Sequence, residues 1–143
     1  MIIFVCSLGK LRSRTAELLC LFGGVYARAC GTAPDAEAPV TDALLRQASL
    51  VVCMEGEHKK ALADFQHYGA APTVTLGIPD EFNRLEHALV RDLIYQMRFH
   101  NLKVAEAMER GYAVLSAQPG YRDALGTHAP PVSGNPAFGM LPM

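Results

Sequence analysis

The chain has 143 residues, half of them hydrophobic, with 13 lysines and arginines against 14 acids for a formal charge of -1. That length suits one domain with a sizeable core, and so even a charge argues against nucleic acid or an anionic membrane as partner. No apolar stretch is long enough to span a bilayer, and Met1-Ile2-Ile3-Phe4-Val5 lacks the charged leader of a signal peptide, so the cytoplasm is the expected compartment.

In chain order, Met1 to Val5 is an uninterrupted apolar run of the kind a buried parallel strand needs, and Ser13 to Phe22 reads as a helix with an apolar face. Gly23-Gly24 breaks the pattern, Val25 to Cys30 is a second strand, and Thr32 to Val40, with two prolines, is a loop in which Asp35 and Glu37 are solvated charges. Thr41 is a good N-cap for a helix from Asp42 to Ala48. Leu50 to Met54 is a third strand, Glu57 to Phe65 a helix and Thr73 to Leu76 a fourth strand. From Leu85 to Arg110 the absence of proline and glycine, with Leu89, Val90, Leu93, Ile94 and Met97 at helical spacing, predicts one long helix or two in sequence. Beyond Gly111 the composition shifts to proline, glycine and small residues. The expectation is an α/β unit over residues 1–111 and a Pro/Gly-rich extension over 112–143, either loosely draped or a partner- or substrate-covering tail using Tyr121, Phe138 and Met140. Strands alternating with helices call for a parallel sheet covered on both faces, with ligands at the carboxyl ends of its strands.

The chemistry concentrates where the first strand meets the first helix. Cys6-Ser7-Leu8-Gly9-Lys10-Leu11-Arg12-Ser13 sets a cysteine and an arginine at the two ends of a short loop. A helix N-terminus offers unpaired amides and the positive end of a dipole, so both a thiolate and a phosphate are welcome there. Arg12 can fork two hydrogen bonds onto phosphate oxygens, a geometry that lysine lacks. Cys6 is therefore read as a nucleophile, with Ser7, Leu8, Gly9, Lys10, Leu11 and Arg12 holding the phosphate. Cys20 and Cys53 read as small core residues, and Cys30 is left open. With no Cys-x-x-Cys pair and no zinc spacing, no metal or cofactor is called for. His58 and His87, on helices, are expected to be solvated.

At this point the chain resembles the low-molecular-weight protein tyrosine phosphatase family, most closely its short bacterial members. The resemblance rests on Phe4-Val5-Cys6, the spacer to Arg12-Ser13, Thr15-Ala16-Glu17, the run Ala48 to Met54 with His58 and Leu62, and Ile78-Pro79-Asp80-Glu81-Phe82. It covers residues 1–105 and implies a three-layer sandwich around a four-stranded parallel sheet in the order 2-1-3-4. It also implies hydrolysis of phosphotyrosine or a related aryl phosphate, on a protein or a small molecule, through a cysteinyl-phosphate. In that reading Asp80 is the general acid, Ser13 hydrogen-bonds the Cys6 sulfur, and Phe82 walls the cleft.

Several positions depart from the family. Leu8 and Gly9 stand where glycine and asparagine are usual, Arg14 replaces proline, and Leu11 occupies a place that often holds a second cysteine. Gly9 keeps access to a left-handed backbone, whereas Leu8 requires an ordinary one. On local sequence alone Asp80 is equally a turn residue, and Glu81 is the alternative acid. Two other functions stay open: a non-catalytic binder of phosphate or phosphotyrosine, and an arsenate reductase, which needs further cysteines that are not found after Cys53.

Overall fold

The computed structural model describes residues 1–121, so Phe138 and Met140 lie outside the described residues. The elements follow in alternation: β1 (Ile2–Cys6), α1 (Arg12–Phe22), β2 (Ala27–Gly31), α2 (Asp42–Gln47), β3 (Leu50–Cys53), α3 (Gly56–Leu62), β4 (Thr73–Thr75), α4 (His87–Arg98) and α5 (Leu102–Ser116). The four strands form one sheet in the order β2-β1-β3-β4, parallel throughout, as the α/β reading expected.

The pleat of β1 explains the three layers. Successive side chains of a strand point to opposite faces. Ile2, Phe4 and Cys6 enter a core with residues of α1, α4 and α5, while Ile3 and Val5 enter a second core with Leu45 of α2 and Leu62 of α3. Both faces of β1 are thus dry, which is why its sequence is continuously apolar rather than alternating. Cys20, Cys30 and Cys53 are buried and unpaired. Burial pushes each of these thiols up to about 12, so none of them supplies a thiolate at neutral pH.

Thr41 caps α2 through its side chain, which accepts from Leu44 N at 3.1 Å. The apolar stretch after residue 85 is two helices, because Asn101 starts a new one by accepting from Val104 N at 3.2 Å. The second of these, α5, runs through Gly111 to Ser116, so Gly111 is not the break that its composition suggests. A Cβ on Gly111 would stand 1.8 Å from the Leu19 carbonyl oxygen, so its bare backbone is what lets α5 lie against α1. Arg110 adds to that contact by donating to the Gly23 carbonyl at the end of α1, at 3.1 and 3.3 Å. Tyr121, placed in the tail by composition, is buried and donates to the Leu85 carbonyl at 2.8 Å. Among the described residues no helix is long and apolar enough to cross a membrane.

Candidate active site

The loop of residues 7–11 joins the carboxyl end of β1 to α1, and hydrogen bonds fix its orientation. Its carbonyls turn away from the centre: those of Cys6, Ser7 and Leu8 accept from Thr32 N, Ala33 N and Glu37 N at 3.0, 2.9 and 3.3 Å. With the oxygens turned outward, an amide faces the sulfur, and Gly9 N donates to Cys6 Sγ at 3.2 Å. Gly9 achieves this with φ of +73°, in the left-handed region that glycine enters without steric cost. Leu8 keeps an ordinary backbone, since among the described residues Leu85 is the non-glycine with positive φ. The departures from the family's spacer are accommodated in this way: glycine takes the turn, and the leucine side chain is exposed.

Cys6 Sγ also lies 2.9 Å from Ser13 Oγ. The N-cap position of α1, Leu11, makes no side-chain capping bond, so the helix end that faces the loop carries no built-in acceptor. Lys10 is exposed and Leu11 half-buried, its carbonyl accepting from Thr15 N and Thr15 Oγ1.

Arg12 is 2 % exposed and is held by its own scaffold. Both protons of its Nη1 are used, one on the Glu55 carboxylate and one on the Ile78 carbonyl at 2.8 Å. The opposite edge of the guanidinium, Nε with Nη2, is the one that can fork onto two oxygens of a phosphate. Nε lies 3.8 Å from the Asp80 carboxylate, so the loop arginine and the Asp80 segment meet in a long ion pair. Asp80 itself is exposed.

Glu55 and His58 were not expected here, and both bear on the loop. Glu55 caps α3: its carboxylate accepts from the His58 amide, and its own amide donates to His58 Nδ1 at 3.0 Å. His58 is fully buried rather than solvated, which corrects the sequence reading. Burial, together with the Arg12 cation, holds its pKa below the ordinary imidazole value, so the ring is neutral. The tautomer follows from its partners. Because Nδ1 accepts a hydrogen bond from the Glu55 backbone amide, the ring proton sits on Nε2, where it donates to Ser7 Oγ at 3.0 Å. Glu57, 3.6 Å from the same nitrogen, is too far for a hydrogen bond. With its oxygen thus occupied, the Ser7 hydroxyl has its own proton to give. Donor atoms of Glu55, Glu57 and His58 lie within 4.8 Å of one another, but those of Glu55 and His58 are committed to Arg12 and the cap, so the group is a hydrogen-bond network rather than a metal site. His87, by contrast, is exposed, as expected, beside Tyr112 and Tyr121.

The segment carrying Asp80 is tied at both ends. Ile78 is held by Arg12, and at the other end Leu85 N donates to Thr15 Oγ1 at 2.9 Å while the Leu85 carbonyl accepts from the Tyr121 hydroxyl. Leu85 has φ of +63° and is fully buried. A leucine in that conformation costs about 1 to 2 kcal/mol, which its packing and its two hydrogen bonds offset. Phe82, between these anchors, is half-buried against the core that includes Cys6.

No protein-family model and no curated protein sequence matches the chain. Among solved structures it is similar to Wzb of Vibrio vulnificus in complex with benzylphosphonate, at 19 % identity and a TM-score of 0.52 over 79 % of this chain and 94 % of that one. It is also similar to a low molecular weight protein tyrosine phosphatase from Bacillus subtilis, at 20 % identity and a TM-score of 0.50 over 79 % of this chain and 97 % of that one. The chain has the fold of the low molecular weight protein tyrosine phosphatases.

Proposed function

We propose that this protein is a cysteine-dependent phosphatase that hydrolyses phosphotyrosine or a related aryl phosphate monoester, carried by a protein or a small molecule. One observation carries the reading: Cys6 Sγ, the Gly9 amide, the Ser13 hydroxyl and the forking edge of Arg12 converge on one loop at a helix N-terminus. A core cysteine needs none of these neighbours. The fold shared with the phosphatases supports the same activity.

In the first step the Cys6 thiolate attacks phosphorus in line, an S–P bond forms and the P–O bond to the aryl group breaks. Protonated Asp80 gives its proton to the departing phenolate. The loop amides of residues 7–12, the Ser7 hydroxyl and the Nε–Nη2 edge of Arg12 hold the three spectator oxygens, where charge develops. In the second step the Asp80 carboxylate takes a proton from water, whose oxygen attacks phosphorus while the P–S bond breaks. Ser13 donates to the sulfur as it leaves with the electron pair, and phosphate departs. Phe82 supplies an apolar wall for the aryl ring. Glu55 and His58 act through others: Glu55 orients Arg12, and His58 orients Ser7. The buried, unpaired cysteines suit a reducing compartment, in keeping with the cytoplasm.

Hydrolysis of para-nitrophenyl phosphate between pH 5 and 7 tests the reading. Turnover by the wild-type chain that vanishes in Cys6→Ser supports it. A folded wild-type chain that binds phosphate and releases no nitrophenol would instead be a binding module.

A further inference from the structure

A groove of about 540 Å³ opens beside the catalytic loop, between α1 and the edge strand β2, and shares Gly9 with that loop. At the loop end it is lined by Arg14, Arg84 and Glu37, and at the far end by Leu21 and the exposed ring of Tyr26, with Arg28 and Glu17 between. Its volume falls in the range of ligand pockets.

The charges do not cancel. Glu17 is fully engaged, one oxygen by Arg14 and the other by Ala29 N at 2.7 Å, so Arg14 and Glu17 neutralise each other. Arg28 and Arg84 then face Glu37 alone, leaving one net positive charge. Arg84 is the least satisfied member. Its Nε is buried and meets no hydrogen-bond partner. Burial and the neighbouring Arg14 cation both work against its charge, and Glu37 only partly relieves this. An anionic ligand in the groove would offset the repulsion between the Arg14 and Arg84 cations that Glu37 leaves in place.

The groove also has a direction. Arg14 lies in the first turn of α1 and Leu21 seven residues later, about 10 Å along the helix axis, the span of about three residues of extended chain. Cations stand near the phosphate loop and apolar side chains away from it. We propose that this groove binds the segment flanking the phosphorylated residue of a protein substrate, with an acidic side chain against Arg84 and Arg28 and an apolar one against Leu21 and Tyr26. This selectivity rests on the phosphatase reading of the Cys6 loop.

The test compares phosphotyrosine peptides that differ only in carrying two glutamates or two glutamines beside the phosphotyrosine, placed on either side, with para-nitrophenyl phosphate as the flankless control. For the wild type, KM for a glutamate peptide should be about tenfold lower than for its glutamine counterpart, the factor expected of a charge-assisted hydrogen bond. Arg84→Gln and Arg28→Gln should each shrink that preference while leaving kcat and para-nitrophenyl phosphate hydrolysis unchanged. Arg28 is an exposed position, so its variant keeps the test valid if Arg84→Gln fails to fold. Equal KM values for both peptides with the wild type would overturn the proposal, as would a preference that survives both substitutions. If the wild type hydrolyses none of the substrates, the phosphatase reading fails by itself. Titration of the same peptides into the wild-type chain then decides the groove: tighter binding of the glutamate peptide sustains it, and equal binding refutes it.

Discussion

The Cys6 loop and the segment from Ile78 to Leu85 meet at Arg12, yet they are built differently. In the loop, Arg12 and Ser13 are buried, the outward carbonyls are pinned by the 32–37 segment, and Ser7 is held from behind by His58. The second segment is anchored at its two ends, to Arg12 and Thr15, and leaves Asp80 exposed between them. An anion cradle works by preorganisation and gains from rigidity, whereas a group that gives up a proton and later takes one from water needs access to solvent. The difference predicts that substitutions in the loop's support harm the reaction even where they touch no substrate, whereas substitution of Asp80 leaves the fold intact.

The largest effect short of removing the nucleophile should come from Arg12→Lys. Lysine cannot satisfy Glu55 and Ile78 while also forking onto phosphate, and kcat should fall about 10³-fold with weakened phosphate binding, measured by steady-state kinetics and phosphate titration. Asp80→Asn should lower kcat about 10²-fold without changing the melting temperature. The deficit should be larger for phenyl phosphate than for para-nitrophenyl phosphate, because the poorer leaving group depends more on the proton; equal deficits would remove Asp80 from that role.

A smaller effect separates orientation from simple stability at His58. Asparagine places an acceptor where Nδ1 stands and keeps the cap to Glu55, but it cannot reach Ser7; glutamine places a donor where Nε2 stands. His58→Asn should therefore lose about tenfold in kcat, and His58→Gln should recover most of it. Ser7→Ala combined with His58→Asn should be no worse than either alone, as expected for residues acting as one unit. The smallest effect is on pH dependence. The folded His58 has a pKa below the unfolded value of about 6.5, so as pH falls through that region the unfolded chain takes up a proton that the folded chain refuses. Its contribution to stability is complete above that pH and is lost on acidification. Denaturant titrations at pH 7 and pH 5 should show this, and His58→Asn should flatten the slope.

The residues differ in how far their roles were legible beforehand. The buried strands declared themselves by unbroken apolar runs, and Cys6 and Arg12 by their spacing at a strand-to-helix junction. The strand order came from resemblance, not from the pattern of any one segment. His58 reads as solvated in the sequence because its helix face becomes interior only when α3 docks beside the loop, and no local periodicity carries that information. Glu55 is inconspicuous for a related reason: an acid at a helix start reads as a cap, which it is, and its second partner, Arg12, lies 43 positions away. Gly111 looked like punctuation because glycine usually ends a helix, whereas here it admits the backbone of α1.

The most direct test of the account is to quench the wild-type chain with acid during turnover of an aryl phosphate and weigh its peptides. The account predicts one added phosphoryl group, on the peptide carrying Cys6 and absent from Cys6→Ser. Turnover with no phosphorylated Cys6 peptide at any quench time, while burst kinetics demand an intermediate, would contradict it.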